Sequence, residues 1–237
     1  MSHLIQERSY FANLVAFSEE IINQLTDKVK NKEKINSGDS FIVDLGDSHD
    51  LEIKFYKTYS RRAKEYRKKN NYTDSMSALF FPIISDKADA TIEIYINHAK
   101  TYYYKNRDSI EIVNNRLPKF IKDILRHEIT HAQDDVLSSF THTKPADKSH
   151  EDYDSYVNSD SEVNAYFNQV LSSEINENSL VKYYLSIGDV NSAMKALILK
   201  IKTLPEIDAM SDENKKWILK TAYTTMQKIA DEQSIDP

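Results

Sequence analysis

The sequence predicts an α+β protein with a small N-terminal β-sheet lobe, a central helix and a helical C-terminal lobe. Segments with the two-residue alternation of half-buried strands are confined to the first hundred residues. The second half instead places apolar residues at three- and four-residue intervals, which is the pattern of amphipathic helices. The chain has 237 residues and 40% hydrophobic content, enough for a sizeable core. We therefore expect a single domain over residues 1–237, with an α/β lobe at 1–117 and the helical part at 118–237.

The N-terminal lobe begins with an amphipathic helix from Tyr10 to about Val29, and a Lys-rich turn follows it. Strand character then occurs at residues 41–45, 51–55, 79–84 and 91–97. The first two strands are joined around Gly46-Asp47, and Pro82 favours an edge position for the third. These segments predict a sheet of about four strands.

The central helix is predicted from about Pro118 to Asp135, because proline has the fixed φ that suits a first helical turn. Two neighbouring stripes follow helical spacing, Ile121, Leu125, Ile129 and Ala132 in one, and Phe120, Ile124, His127 and His131 in the other. Lys122, Asp123 and Arg126 lie mostly off these stripes. We expect a covered helix whose histidines point into the protein or into a cleft.

The C-terminal part shows three further helical segments, at residues 180–187, 190–204 and 213–230. Gly188 follows the first segment and Pro205 follows the second, and both residue types are typical of helix ends. We expect these helices to pack behind another helix that begins near Glu162.

His127-Glu128-Ile129-Thr130-His131 is the most informative motif of the chain. Residues i and i+4 share a helix face, so two imidazoles can reach one metal ion while Glu128 stands beside them as a general base. Neutral imidazole is a preferred zinc ligand, and the chain contains no cysteine that could supply a thiolate. The alternative is that His127 and His131 are core residues whose ring nitrogens are hydrogen bonded and bind no metal. Burying them beside a carboxylate without a cation would be costly in free energy.

A catalytic zinc site needs a third protein ligand and an open position for water. Glu162 is the favoured residue, because it stands where a polar run changes to the helical spacing of Val163, Phe167 and Val170. The other candidates are Asp134, Asp135, His142, His150, Glu151 and Asp154. Asp134 and Asp135 share the helix of the histidines, and they suit orientation of an imidazole better than direct ligation.

Ser159 and Glu162 also match a capping box, in which the Glu side chain accepts a hydrogen bond from the backbone of the cap residue. Both interpretations place a helix start at the same position. The ligand interpretation is favoured because the histidine pair needs a further donor.

With these motifs the sequence resembles the zincin metallopeptidases of the gluzincin type, over roughly residues 90–172. Glu162-Val163-Asn164-Ala165 is similar to the Glu-x-x-Ala pattern on the second helix of small peptidases of this type. Tyr166 occupies the place where the best-known gluzincins carry an Asp that braces a zinc-bound His, so that partner is unassigned. The resemblance implies a zincin-like fold, a bound Zn²⁺ ion and a protein or peptide substrate.

The resemblance also implies a strand along the cleft edge, to which an extended substrate could add. Residues 91–97 fit it, because Ile92, Ile94 and Ile96 alternate with polar residues, although an ordinary sheet strand has the same pattern. Gluzincins commonly supply a Tyr or His to the oxyanion of the tetrahedral intermediate. The sequence offers Tyr153, Tyr156, His142 and His150 without ranking them.

Two other segments have functional and structural interpretations. The stretch 138–160 is long and polar, and we expect it to cover the cleft as a flap. Tyr102, Tyr103 and Tyr104 can line substrate subsites, but packing over the sheet end is the favoured interpretation.

Residues 57–69 carry seven basic side chains against Glu65, a local charge of +6 in a chain whose net charge is −6. The rest of the chain therefore sums to −12, which argues against a dedicated nucleic-acid binder. A solvated basic helix is the favoured interpretation, with a polyanion-binding face as the alternative.

The N-terminus lacks the features of a signal peptide, and no apolar run is long enough to span a membrane. A cytoplasmic zinc metallopeptidase without membrane contact is the predicted function and location. The alternative is a structural or regulatory protein, for example of a phage particle or another mobile element, that keeps the zincin scaffold with little or no turnover. The sequence does not indicate an oligomeric state.

Overall fold

A computed structural model of the chain describes residues 2–46, 49–69, 76–82, 90–99, 109–137, 157–177 and 179–233. Helices and strands are both present, so the predicted α+β class is confirmed. One compact unit comprises Glu20–Ser149, and a second comprises Met1–Glu19 with His150–Pro237. We refer to them as the sheet unit and the helical unit.

The helices are α1 (Ser2–Val29), α2 (Arg61–Lys69), α3 (Ile96–Ala99), α4 (Lys119–Leu137), α5 (Asp160–Asn176), α6 (Leu180–Ser186), α7 (Val190–Ile201), α8 (Pro205–Asp208) and α9 (Asp212–Gln233). The strands are β1 (Lys34–Asn36), β2 (Ser40–Gly46), β3 (His49–Tyr56), β4 (Ala78–Phe81), β5 (Ala90–Tyr95) and β6 (Ser109–Glu111). The predicted helices agree with these bounds to within a few residues, except that α1 begins at Ser2 instead of Tyr10.

The main sheet has four strands, as the strand patterns predicted, and their order is β2-β3-β5-β4. β2 and β3 form an antiparallel hairpin, β3 and β5 are parallel, and β4 is antiparallel to β5. β4 is an edge strand and ends immediately before Pro82. Proline cannot donate a hydrogen bond to a neighbouring strand, so this edge position suits it.

The predicted edge position of the strand at residues 91–97 is wrong. β5 lies between β3 and β4, and all six of its residues are buried. It also ends at Tyr95, because the chain turns into the short helix α3. The alternating pattern suggested one exposed face, but Glu93 on that face is buried and hydrogen bonded.

A second, two-stranded sheet was not predicted. β1 pairs antiparallel with β6, with Ile35 opposite Ile110. Both isoleucines are fully or almost fully buried. Three residues per strand are too few to show the alternation of buried and exposed residues that marks a strand. The sequence therefore predicts only a turn in the Lys-rich segment.

Helix α2 packs on the sheet through Ala63, which joins Leu79, Phe81 and Tyr95 in a buried cluster. Its arginine side chains also cover aromatic rings. The guanidinium of Arg62 lies 3.9 Å from the centroid of the Phe81 ring. Such cation–π contacts hold a guanidinium in place while its outer surface stays in water.

Glu93 is buried beneath α2, with 4% of its surface exposed. Its Oε2 atom accepts hydrogen bonds from the Ser60 hydroxyl at 2.6 Å and from the Tyr95 hydroxyl at 2.8 Å. Burial and the neighbouring Glu93 carboxylate both raise the pKa of Tyr95. The two hydroxyl donors offset the cost of removing this carboxylate from water.

The helical unit has its own apolar core, to which α1 contributes Leu14 and Val15. Three polar side chains within this core are linked by hydrogen bonds. Asn168 donates to the Ser18 hydroxyl at 2.9 Å and accepts from the Ser172 hydroxyl at 2.7 Å. Because all three residues are fully buried, these hydrogen bonds fix how α1 and α5 face each other.

Tyr95→Phe is expected to lower the free energy of unfolding by about 1–3 kcal/mol at neutral pH, because buried Glu93 loses one donor. The raised pKa of Tyr95 in the folded state means that this stabilisation is present below the ordinary tyrosine pKa of about 10 and is lost as the pH rises above it. The difference in the free energy of unfolding between the parent protein and Tyr95→Phe should therefore become smaller at alkaline pH. Urea unfolding at neutral pH and above pH ~10, followed by circular dichroism, measures it.

Tyr183→Phe is the matched control, since Tyr183 is 57% exposed and should change stability by less than about 0.5 kcal/mol. Equal stability of the Tyr95 variant and the parent protein at neutral pH would contradict the role assigned to the Tyr95 hydroxyl.

Candidate metal centre

Helix α4 begins at Lys119, directly after Pro118, whose carbonyl accepts the first hydrogen bonds of the helix from the backbone of Ile121 and Lys122. This start agrees with the predicted helix. The predicted core stripe is also confirmed, since its four residues are fully or almost fully buried: Ile121, Leu125, Ile129 and Ala132. The stripe fixes the rotation of α4 about its axis, and with it the direction of the histidines.

Arg126 is a buried residue that the sequence pattern did not reveal. None of its surface is exposed, and its Nη1 atom donates to Asp123 Oδ1 at 2.8 Å. Arg126 lies off the predicted apolar stripes, and the long side chain of an arginine usually reaches water. Its burial places a permanent positive charge within the same helix as the histidine pair.

His127 and His131 lie on one face of α4 and are both half-buried. Their ring centroids are 5.1 Å apart, and the rings are inclined at 79° to each other. The i, i+4 spacing produces this proximity directly, because 3.6 residues complete one helical turn. Glu128, between them in sequence, is 9% exposed.

Glu162 lies in the first turn of α5, as predicted for a helix starting near Ser159. Ser159 is the N-cap residue, but its side chain makes no cap hydrogen bond to the helix backbone. The reciprocal capping box therefore lacks one of its two hydrogen bonds. The Glu162 side chain is 1% exposed, and its Oε2 atom is itself buried.

His127, His131 and Glu162 each offer one metal-ligating atom, and the three atoms lie within 4.8 Å of one another. Two imidazole nitrogens and a carboxylate oxygen form a donor set that suits zinc. Zinc–ligand bonds of roughly 2.0–2.2 Å would place two donors of a tetrahedral site about 3.4 Å apart. The three residues are therefore a group that could hold a metal ion.

The buried pair of Glu93 and Tyr95 belongs to the surroundings of this group. The negative charge of Glu128 contributes to the raised pKa of Tyr95, after burial and Glu93. Tyr95 is therefore within electrostatic reach of the carboxylate next to the histidines. The sequence patterns did not mark Glu93 and Tyr95 as site residues; the one signal for them is a Glu in the middle of an apolar strand.

The structure describes only some of the remaining candidates. His142, His150, Glu151, Asp154, Tyr153 and Tyr156 lie outside the described residues, as do the Tyr102–Tyr104 run and most of the predicted flap. Asp134 and Asp135 belong to α4, but their side chains are not among those described. Tyr166 on α5 is half-buried and packs against the core of the helical unit.

Comparison with known proteins returned no matching family model, no similar curated protein and no similar solved structure. Among the helices that the structure describes, none has both the length and the apolar character of a bilayer-spanning segment. The chemistry of the site itself must therefore carry a functional assignment.

His127→Ala and Glu162→Gln are each expected to lower zinc affinity at least about tenfold, because each removes one of three protein ligands. Elemental analysis after dialysis against zinc, together with competition against a chelating dye, measures the loss. Zinc should also raise the melting temperature of the parent protein and have little effect on that of either variant.

His98→Ala serves as the control, because His98 stacks on Tyr59 with ring centroids 4.2 Å apart and is not a member of the group. The His98→Ala variant should bind zinc as the parent protein does. Zinc affinity that is unchanged in both ligand variants would remove these residues from the metal site.

Proposed function

We propose that this chain is a zinc-dependent metallopeptidase of the gluzincin type, which hydrolyses peptide bonds with a zinc-activated water. His127, His131 and Glu162 are the proposed zinc ligands, and Glu128 is the proposed general base. One observation carries the proposal: ligand atoms of the three residues lie within 4.8 Å of one another, with Glu128 next to His127 on the same helix.

A zinc ion bound by these residues would polarise the scissile carbonyl and bring the pKa of an attacking water towards neutrality. The residues that would hold the ion are two histidines and one glutamate, so the protein would supply three ligands and leave room for a water. An open position distinguishes catalytic zinc sites from structural ones, which are usually closed by four protein ligands.

Glu128 would accept a proton from the attacking water and then deliver it to the leaving amine, so one carboxylate would serve as base and later as acid. Tyr153, Tyr156, His142 and His150 remain the proposed candidates for the donor to the oxyanion.

The strand β4 packs against α4, the helix that carries the histidines and Glu128. No other described strand pairs with the outer side of β4, but all four of its residues are buried. No strand edge is therefore assigned to the substrate.

Glu128→Gln is expected to retain zinc and to lower peptide hydrolysis about 10²–10⁴-fold, because the amide cannot accept the proton. A fluorescence-quenched peptide library, digested with and without a chelator, measures activity, while elemental analysis measures the metal. The control is Glu111→Gln, a substitution of the same type at an exposed position on β6, which should leave the rate unchanged.

Chelator-sensitive cleavage that persists in the Glu128 variant would reject this residue as the base. A parent protein that binds zinc but cleaves no peptide of the library would instead favour the alternative of a structural or regulatory protein with a zincin scaffold.

A further inference from the structure

Glu162 has to be held in place for the proposed metal centre to form, yet it lies in the first turn of α5. The ends of helices fray more readily than their middles, because their terminal backbone groups lack partners within the helix. The N-cap residue Ser159 makes no side-chain hydrogen bond to the helix backbone, so the usual local restraint on a helix start is missing here. Other contacts must therefore fix the start of α5.

Four hydrogen bonds link Asn158, the residue before this N-cap, to the segment that leads into α9. Its Oδ1 atom accepts from the backbone N–H of Ser211 at 2.6 Å and from Nδ2 of Asn214 at 2.9 Å. Its Nδ2 atom donates to the carbonyl of Ala209 at 3.3 Å, and Nδ2 of Asn214 donates to the Asn158 carbonyl, also at 3.3 Å. We call these four residues the Asn158 clamp.

The residues to which Asn158 is bonded are themselves fixed. The Ser211 hydroxyl accepts the backbone N–H of Asn214 at 3.2 Å, and the Ser211 carbonyl accepts that of Lys215 at 2.9 Å, which is the hydrogen-bonding pattern of an N-cap residue. Asn158 is therefore joined to the beginning of α9, a helix of 22 residues. This helix is anchored in the core of the helical unit by buried apolar residues, Ile218, Ala222 and Met226.

The chain directly before Asn158 is also anchored, since Val157 is fully buried and belongs to the core of the helical unit. Asn158 itself is half-buried, so the hydrogen bonds of its side chain are partly shielded from competing water. Glu162 follows about one helical turn later, and a shift of the clamp would therefore move the Glu162 carboxylate with it. Metal–ligand distances tolerate deviations of only about 0.2 Å, so a small shift is enough to weaken a zinc site.

We propose that Asn158 and Asn214 are positioning residues for the metal centre, which hold the first turn of α5 so that the Glu162 carboxylate stays at the distance that a zinc ligand requires. The inference rests on the proposed function, because the clamp has this role only where Glu162 binds zinc. The alternative is that the clamp only stabilises the helical unit, in which case the zinc affinity of the folded protein would not depend on it.

The test measures the zinc affinity of the full chain by competition with a chelating dye, well below the melting temperature of each variant. Asn158→Ala is expected to weaken zinc binding about tenfold, as is usual for the loss of a group that supports a metal ligand. Asn158→Asp should bind zinc nearly as the parent protein does, because its carboxylate still accepts from Ser211 and Asn214. The visible absorption of the cobalt-substituted protein should change in the alanine variant only, since Co²⁺ reports the kind and geometry of its ligands.

A double-mutant cycle separates a positioning role from general destabilisation. Once Glu162→Ala has removed the ligand, the addition of Asn158→Ala should weaken zinc binding by no more than about twofold, because no carboxylate is left to position. A further loss of about tenfold in this background would show that Asn158 does not act through Glu162, and it would overturn the inference.

Asn168→Ala is the matched control, because it removes the same kind of side chain from the same helix. Asn168 is fully buried and hydrogen bonded to Ser18 and Ser172, so its loss should lower the melting temperature and leave zinc affinity unchanged. If that variant does not fold, Asn176→Ala at the other end of α5 replaces it. If Asn158→Ala does not fold, Asn214→Ala repeats the test, since it removes both hydrogen bonds that Asn214 donates to Asn158.

Zinc affinity that is unchanged in Asn158→Ala but reduced in Glu162→Ala would overturn the inference and leave the proposed function intact. Equal losses in Asn158→Ala and Asn168→Ala would also overturn it, because zinc affinity would then follow stability alone. A parent protein that binds no zinc, or binding that does not depend on Glu162, would reject the proposed function together with the inference. A loss that is confined to the clamp variants and absent from the Glu162→Ala background would support it.

Discussion

The burial of negative charge is the constraint on which the rest of this structure depends. An ionised carboxylate that leaves water is costly unless donors or a cation surround it. Glu93, Glu128 and Glu162 are buried carboxylates in the part of the chain whose burial is described. Glu93 is met by the hydroxyl groups of Ser60 and Tyr95. Glu162 lies beside two imidazoles, whose lone pairs can bind a cation. A divalent ion held by the proposed metal centre would place positive charge next to this carboxylate.

Local periodicity accounts for the features that the sequence predicted well. Pro118 and the stripe through Ile121, Leu125 and Ile129 determine where α4 begins and which side it buries. The spacing of His127 and His131 needs no tertiary information, because i and i+4 share a helix face whatever packs around it. The hairpin of β2 and β3 and the edge position of β4 were predictable for the same reason, since turn residues and Pro82 act on their immediate neighbours.

The features that the sequence did not reveal depend on residues far apart in the chain. Strand alternation cannot tell whether β5 has one neighbour or two, and its polar face is covered through Ser60, 33 positions before Glu93. Lys34 of β1 pairs with Glu111 of β6, and these two residues are far apart in the sequence. The proximity of Glu162 to the histidine pair also joins distant parts of the chain, and the sequence indicated it only through the ligand number of a zinc site.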